Sequence, residues 1–415
     1  MGVRDFLTTR AHQGRDAALL IGSTLFGLGC ALLVDWLIAR TDQSLGALDR
    51  LLVVYVPVTF LLTTIIEIAF QASLAGLKGD QPQAAGHLRG FALSGLVVGA
   101  TTVVVAATLG VPTAEAGLFG AYVGFGVVSV GTQHVRGRWL VRGLSVRATT
   151  SRYLPQACAV LFGVVDRSIL AILTGLLVGQ VAYLGVSFSE AWATRHQRRP
   201  GASRRSLQLG AASLLVACTV LIDLSFAKFL DEGSASVYAI GVRASTAVLG
   251  GVITPLAMVI TARLARMADS PDARWVHRLI TVALMLGALA LIPTMVAAPW
   301  ALRLAYRGST VGTRVGDLVT VTRVLLISLP TQLAGTLATR VLIRADAAGA
   351  ILRAATITIV LDLVTDAVFI HFFHLPGLAI STVVVSTTSA IVLGRAASLN
   401  ARDQVRQQPE GIAGV

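Results

Sequence analysis

Two aspartates four residues apart, Asp362 and Asp366, stand in the apolar run IVLDLVTDAVFI. Helical spacing puts both carboxyls on one face, with Cβ atoms about 6 Å apart. Carboxylates that close in apolar surroundings repel, and the repulsion is relieved either by a proton or by a cation that bridges them. Hard cations such as Na⁺ prefer carboxylate, carbonyl and hydroxyl oxygens. Asp223, within SLQLGAASLLVACTVLIDLSFAKFL, offers a third carboxylate, and Thr382 a hydroxyl. The competing reading solvates Asp362 and Asp366 at the edge of the run, or pairs them with arginine.

Arg243 stands two turns into a second long apolar run, VYAIGVRASTAVLGGVITPLAMVITARLARM. Its planar fork suits a phosphate or pyrophosphate group; a structural pair with Asp223 or another acid is the alternative. Asp35 and Glu67 are the acids inside apolar runs of the N-terminal half. Either could face a cavity, and Asp35, beside Trp36, could equally sit at an interface. A charge at membrane depth costs about 3 kcal/mol on insertion scales, so such residues face water or a partner. The expectation is that they share one water-filled chamber between two bundles. His371 and His374 flank a turn and read as interfacial rather than metal-binding. No GxSxG, HExxH, Walker loop or CxxC is present, and no enzymatic activity is expected.

The elements that must position these residues are membrane helices. Of 415 residues, 55% are apolar and 13% charged, against about a quarter charged in soluble domains. The mean hydropathy is +0.76. Twelve apolar segments of roughly 20 residues fall near 17–39, 48–73, 88–109, 115–134, 148–165, 168–190, 207–230, 235–266, 278–302, 316–343, 350–373 and 376–397. Only Asp166-Arg167-Ser168 separates the fifth from the sixth, and one re-entrant pair is the alternative there. Twenty-five of the 34 Lys and Arg fall on one side of this arrangement and seven on the other. That bias assigns both termini to the cytoplasm and removes the net charge of +13 as an argument for nucleic acid. Cys30, Cys158 and Cys218 are widely spaced in apolar runs and read as small core residues.

The segment ATRHQRRPGASRR divides the chain. Residues 1–16 are expected as a cytoplasmic N-terminus with no cleavable signal, and 17–192 as an N-lobe of six spans. Residues 193–206 would be a basic cytoplasmic linker, 207–398 a C-lobe of six spans, and 399–415 a disordered cytoplasmic tail. Two halves around a basic linker is the plan of a repeat-built transporter.

The C-terminal half resembles the MurJ/MviN family. LDEGSASVYAIGVR (230–243) followed by ITPLAMVITARLARMA (253–268) is similar to its span 7–8 signature. LAYRGST, ISLPTQ, IRAD, LDLVTDAVF and LPGLAIST are similar, in order, to later motifs of that family. In the N-terminal half, Leu37-Ile38-Ala39 with Asp49, and Glu67-Ile68-Ala69-Phe70, are weaker matches. Leu28 and Val34 stand where the family has arginines, and the family has fourteen spans against the twelve counted here. The resemblance implies an all-α, MATE-like fold of two six-helix lobes. It implies a flippase of polyprenyl-pyrophosphate-linked sugars such as lipid II, coupled to an ion gradient. It makes Arg243 the substrate arginine, with Asp35, Glu67 and Asp49 beside it. It makes Asp223, Asp362, Asp366 and Thr382 a cation site for Na⁺ or H⁺, with no other cofactor.

The resulting expectation is an alternating-access exporter in a bacterial inner membrane. Its partners would be membrane lipids, a lipid-linked glycan and cell-envelope synthesis proteins. A cation-coupled multidrug antiporter and a non-transporting envelope scaffold are the rival expectations.

Overall fold

The computed structural model describes residues 22, 25–41, 44–75, 88–133, 135, 136, 139, 147, 150–193, 204–266 and 271–407. The expected N-terminus, 1–16, and most of the linker lie outside them. Among the described residues the chain is helical without strands. The helices are α1 (Leu25–Ala39), α2 (Leu45–Ala75), α3 (Leu88–Thr108), α4 (Thr113–Val130), α5 (Leu154–Val165) and α6 (Ile169–Ala193). After the linker come α7 (Arg204–Lys228), α8 (Ser234–Arg266), α9 (Ala273–Ala305), α10 (Val315–Leu326), α11 (Leu329–Arg344), α12 (Ala348–Phe373) and α13 (Leu375–Gln407).

Seven of these are long and apolar enough to cross a membrane, and α10 with α11 forms an eighth span bent by 45°. Among the described residues the shorter apolar helices α1, α3 and α5 and the Arg243-bearing α8 stand at the four remaining expected spans. Together these spans form two six-helix lobes. The lobes meet along α2, which packs on α7 and α8.

Glycine sets two of the tightest contacts. A Cβ at Gly99 of α3 would stand 2.7 Å from the Gly120 carbonyl oxygen of α4. In the α5–α6 hairpin, a Cβ at Gly179 would stand 2.5 Å from Pro155 Cα. No side chain fits at such distances without moving backbone. Gly99→Val should therefore lower stability by about 2–3 kcal/mol, as overpacking does, read as an earlier thermal unfolding transition in detergent. The α5–α6 hairpin resolves the fifth and sixth segments into two helices, with Asp166 to Ser168 as their turn.

Two boundaries differ from the sequence expectation among the described residues. The tenth span is broken at Ile327 and Ser328, because Pro330 at the start of α11 has no N–H to continue the ladder and its ring crowds the preceding turn. The bend turns Gln332, Thr336, Thr339 and Arg340 toward the space between the lobes. The last helix runs to Gln407 where a disordered tail was expected from 399. Ala397 and Ala401, four apart and both buried, continue its packing face past that point. The fifth helix, Leu154–Val165, is preceded without a break by a 3-10 turn, Ser151–Tyr153, and its expected start at 148 lies outside the described residues.

One end of the molecule is latched between lobes. Asp49 of α2 accepts from the Gly233 amide at 2.7 Å, the Ser236 amide at 2.8 Å and the Ser236 hydroxyl at 2.5 Å. These are the donors that the start of α8 leaves unsatisfied, so an N-lobe carboxylate caps a C-lobe helix. Trp36 Nε1 donates to the Ala305 carbonyl at 2.7 Å, and Arg40 to the Arg307 carbonyl at 3.1 Å. Asp49, expected near the substrate, is placed instead in this latch and is absent from the cavity wall. Asp49→Ala should destabilise the closed end by about 1–2 kcal/mol, a normal cap loss. In a background without Cys30, Cys158 and Cys218, a Val237→Cys reporter, buried in the parent, should then react several-fold faster with a maleimide.

Candidate functional site

A cavity of about 540 Å³ lies between the lobes, below the latched end. Asp35 of α1 and Arg243 of α8 line it, and its wall continues to Arg340, Ile343 and Ile351. Arg243 Nη2 lies 2.9 Å from Asp35 Oδ1, and its Nε donates to the same oxygen at 3.1 Å. Arg243 Nη1 donates to the Thr59 hydroxyl at 3.3 Å, and the guanidinium stands 4.9 Å from the Tyr55 ring centroid. Tyr55 in turn packs on Phe119. One C-lobe arginine is thus seated on three N-lobe residues. Asp35 is 6% exposed and the Arg243 side chain 22%, so the arginine keeps an accessible edge on the cavity. Of the pairings considered from sequence, Asp223 or another acid, the structure shows the second, with Asp35 as the acid. Glu67 lies in α2, and its side chain is outside the described residues.

The three other acids come together elsewhere. Asp223 of α7 and Asp362 and Asp366 of α12 each offer an oxygen within 4.8 Å of the others. All three are buried, at 4%, 2% and 0% exposure. Asp223 Oδ1, Asp362 Oδ2 and both oxygens of Asp366 find no hydrogen-bond partner. Ser381 and Asp223 are polar neighbours of Asp366, outside hydrogen-bonding geometry. Tyr238 of α8 donates to Asp223 Oδ2 at 2.5 Å and lies 2.8 Å from the Thr382 hydroxyl. Thr382 therefore joins the cluster through Tyr238.

This changes one expectation. The acids do not share the chamber with Arg243: none of Asp223, Asp362 and Asp366 lines the cavity. They form a separate buried cluster inside the C-lobe, where α7 packs on α12. The physical link is α8, which carries Tyr238 and Arg243 five residues, or about 7.5 Å of helix, apart. Sequence reasoning missed Tyr238, Tyr55 and Thr59. The signal for Tyr238 was a phenol deep in an apolar run, which needs a hydrogen-bond partner when buried.

The donor set fits a hard cation. All the groups are oxygens, several are orphaned, and no positive side chain faces them among the described residues.

Two helical lobes around a largely apolar cavity that carries a few polar and charged side chains, with buried charges of both signs, define a multi-pass membrane transporter. The family model of the lipid II flippase MurJ matches residues 144–406, and the chain belongs to that family. Among solved structures, an outward-facing multidrug resistance MATE family transporter of the MOP superfamily superposes with a TM-score of 0.69 at 16% identity. It covers 94% of this chain and 96% of its own. Lipid II flippase MurJ in an inward closed conformation gives 0.65 at 14% identity, over 93% and 91% of the two chains. A MOP superfamily transporter from Pyrococcus furiosus, described as having a binding pocket of reversed polarity, gives a TM-score above 0.6 at 16% identity, over 94% and 96%. No curated protein matches the chain.

Proposed function

We propose that this protein is an ion-coupled, alternating-access flippase for a polyprenyl-phosphate- or pyrophosphate-linked sugar, or a related anionic lipid, in a bacterial inner membrane. The supporting observation is a cavity closed at one end by the Asp49 latch, with the edge of Arg243 beneath it. With the basic loops on the cytoplasmic side, the latched end faces outward and the cavity belongs to an inward-facing state. Arg243 engages the anionic group in competition with Asp35. The lipid tail stays in the bilayer.

The carboxylate pocket is the coupling site in this reading. A bound Na⁺ or proton there supplies positive charge to three acids that otherwise repel. Tyr238 holds Asp223 and belongs to the same helix as Arg243, so a change in packing at one site is felt at the other. Coupling requires only that the ion bind the two lobe arrangements with different affinity. α8, capped across the lobes by Asp49, is the element that both sites bias.

One observation favours a second reading. Asp35 neutralises Arg243, and Leu28 and Val34 add no charge on α1, so the closed end of the cavity has little net charge. A cation-coupled antiporter of amphipathic solutes fits that balance. Reconstitution in liposomes separates the two. Ion-gradient-dependent movement of a fluorescent polyprenyl-pyrophosphate sugar is the expected result. Export of a cationic dye with no lipid movement would replace it with the antiporter.

A further inference from the structure

We infer that Gln156 and Gln180 form a subsite for an uncharged sugar of the cargo's head group, a deepening that rests on the flippase reading above. Gln156 follows Pro155 at the start of α5, and Gln180 follows Gly179 in α6. Gly179 lies against Pro155 so closely that a Cβ there would be 2.5 Å from Pro155 Cα. The two glutamines therefore stand at one level of the hairpin, and both line the cavity.

Each amide leaves one atom unsatisfied. Gln156 Oε1 and Gln180 Nε2 are buried without a hydrogen-bond partner, and Gln180 is only 3% exposed. A buried donor or acceptor left unpaired is costly and is uncommon in a folded protein. Here an acceptor and a donor are left open on two residues that line one cavity. A hydroxyl or acetamido group satisfies both kinds at once, since it donates and accepts.

The rest of that wall has the same character. Among the described residues, Asp35 is its one charged N-lobe member, and Arg243 holds it. Phe60, Tyr122 and Tyr153 supply aromatic surface to the same side. Amides beside aromatic surface suit a pyranose, which has polar edges and apolar C–H faces. A carboxylate or a second phosphate would meet no positive group on this wall. The assignment is thus sugar on the N-lobe hairpin and phosphate at Arg243. It makes α5 and α6 the elements that discriminate one lipid-linked sugar from another.

The test uses the full chain in liposomes with two fluorescent probes, a polyprenyl pyrophosphate bearing one N-acetylhexosamine and the same lipid without sugar. Gln156→Met and Gln180→Met keep volume and remove the amide. Each should slow the sugar-bearing probe about fivefold, the weight of one neutral hydrogen bond, and leave the sugar-free probe within twofold of the parent. Equal slowing of both probes, or of neither, would overturn the subsite while leaving the flippase reading in place. Should Gln180→Met fail to give monodisperse protein, Gln180→Asn must show the same selectivity in a milder form, and its absence counts against the subsite. If the parent moves neither probe, the flippase reading falls. Equilibrium binding of the sugar-bearing probe to detergent-solubilised protein then decides the subsite alone: weaker binding by the Met variants supports it, and unchanged binding removes it.

Discussion

Arg243→Ala is expected to abolish lipid movement and to lower folding stability by about 3 kcal/mol. The stability loss follows from the partner left behind. Asp35, 6% exposed, would lose both contacts to the guanidinium. Breaking a buried pair from one side costs about 3–5 kcal/mol, and the 22% exposure of the Arg243 side chain sets the lower figure. A structural role alone and a substrate role predict different outcomes for the double variant. Asp35→Asn in the Arg243→Ala background removes the orphaned charge, so the thermal transition should return most of the way. Transport should not return with it, because no fork remains for the phosphate. Recovery of both would make Arg243 a strut between lobes and nothing more. The two effects are separable because residues in contact couple, and the cycle isolates their pair term.

The second large effect is at the carboxylate pocket. Asp366→Asn, and in the same way Asp362→Asn, should make the ion-free protein more stable and the ion-driven protein inactive. The sign comes from repulsion. Two unit charges within 4.8 Å at an effective dielectric constant of 20 interact by roughly 3 kcal/mol, and there are three carboxylates. Removing one relieves part of that cost when no cation is present. The same change deletes a ligand oxygen's charge and weakens ion binding. Thermal scans in Na⁺ and in choline read both halves. The parent should be stabilised by Na⁺ through mass action; the variants should start higher in choline and gain little from Na⁺. Gradient-driven transport by either variant should fall at least tenfold. A parent indifferent to Na⁺ but driven by a proton gradient would assign the pocket to H⁺. Variants with a full Na⁺ response would place the ion elsewhere.

The likeness to MATE and MurJ structures at 14–16% identity is one of fold, and it leaves chemistry to particular side chains. Arginines expected on α1 from the family resemblance are replaced by Leu28 and Val34. Gln156 and Gln180 line the same cavity as Leu28 and carry no charge of their own.

The sequence by itself determined the class and the main players. Apolar runs of about 20 residues force helices, because lipid leaves no other partner for backbone N–H and C=O groups. The placement of Lys and Arg set the expected orientation, and charges inside apolar runs marked Asp35, Asp223, Arg243, Asp362 and Asp366 in advance. Periodicity also put Asp362 and Asp366 on one face. Tertiary structure alone decided who meets whom. Asp35 and Arg243 are 208 positions apart and pair only because α1 and α8 face each other across the lobes. Asp49 left the substrate group for a helix cap, since the open amides of α8 begin directly beside it. The single chamber became two sites because α7 packs against α12 within one lobe and shuts the acids away from the cavity. Gln156 and Gln180 were invisible as a pair for a related reason. A neutral amide in an apolar run has no charge to announce it, and its meaning appears only when backbone contact at Gly179 sets two of them level on one wall.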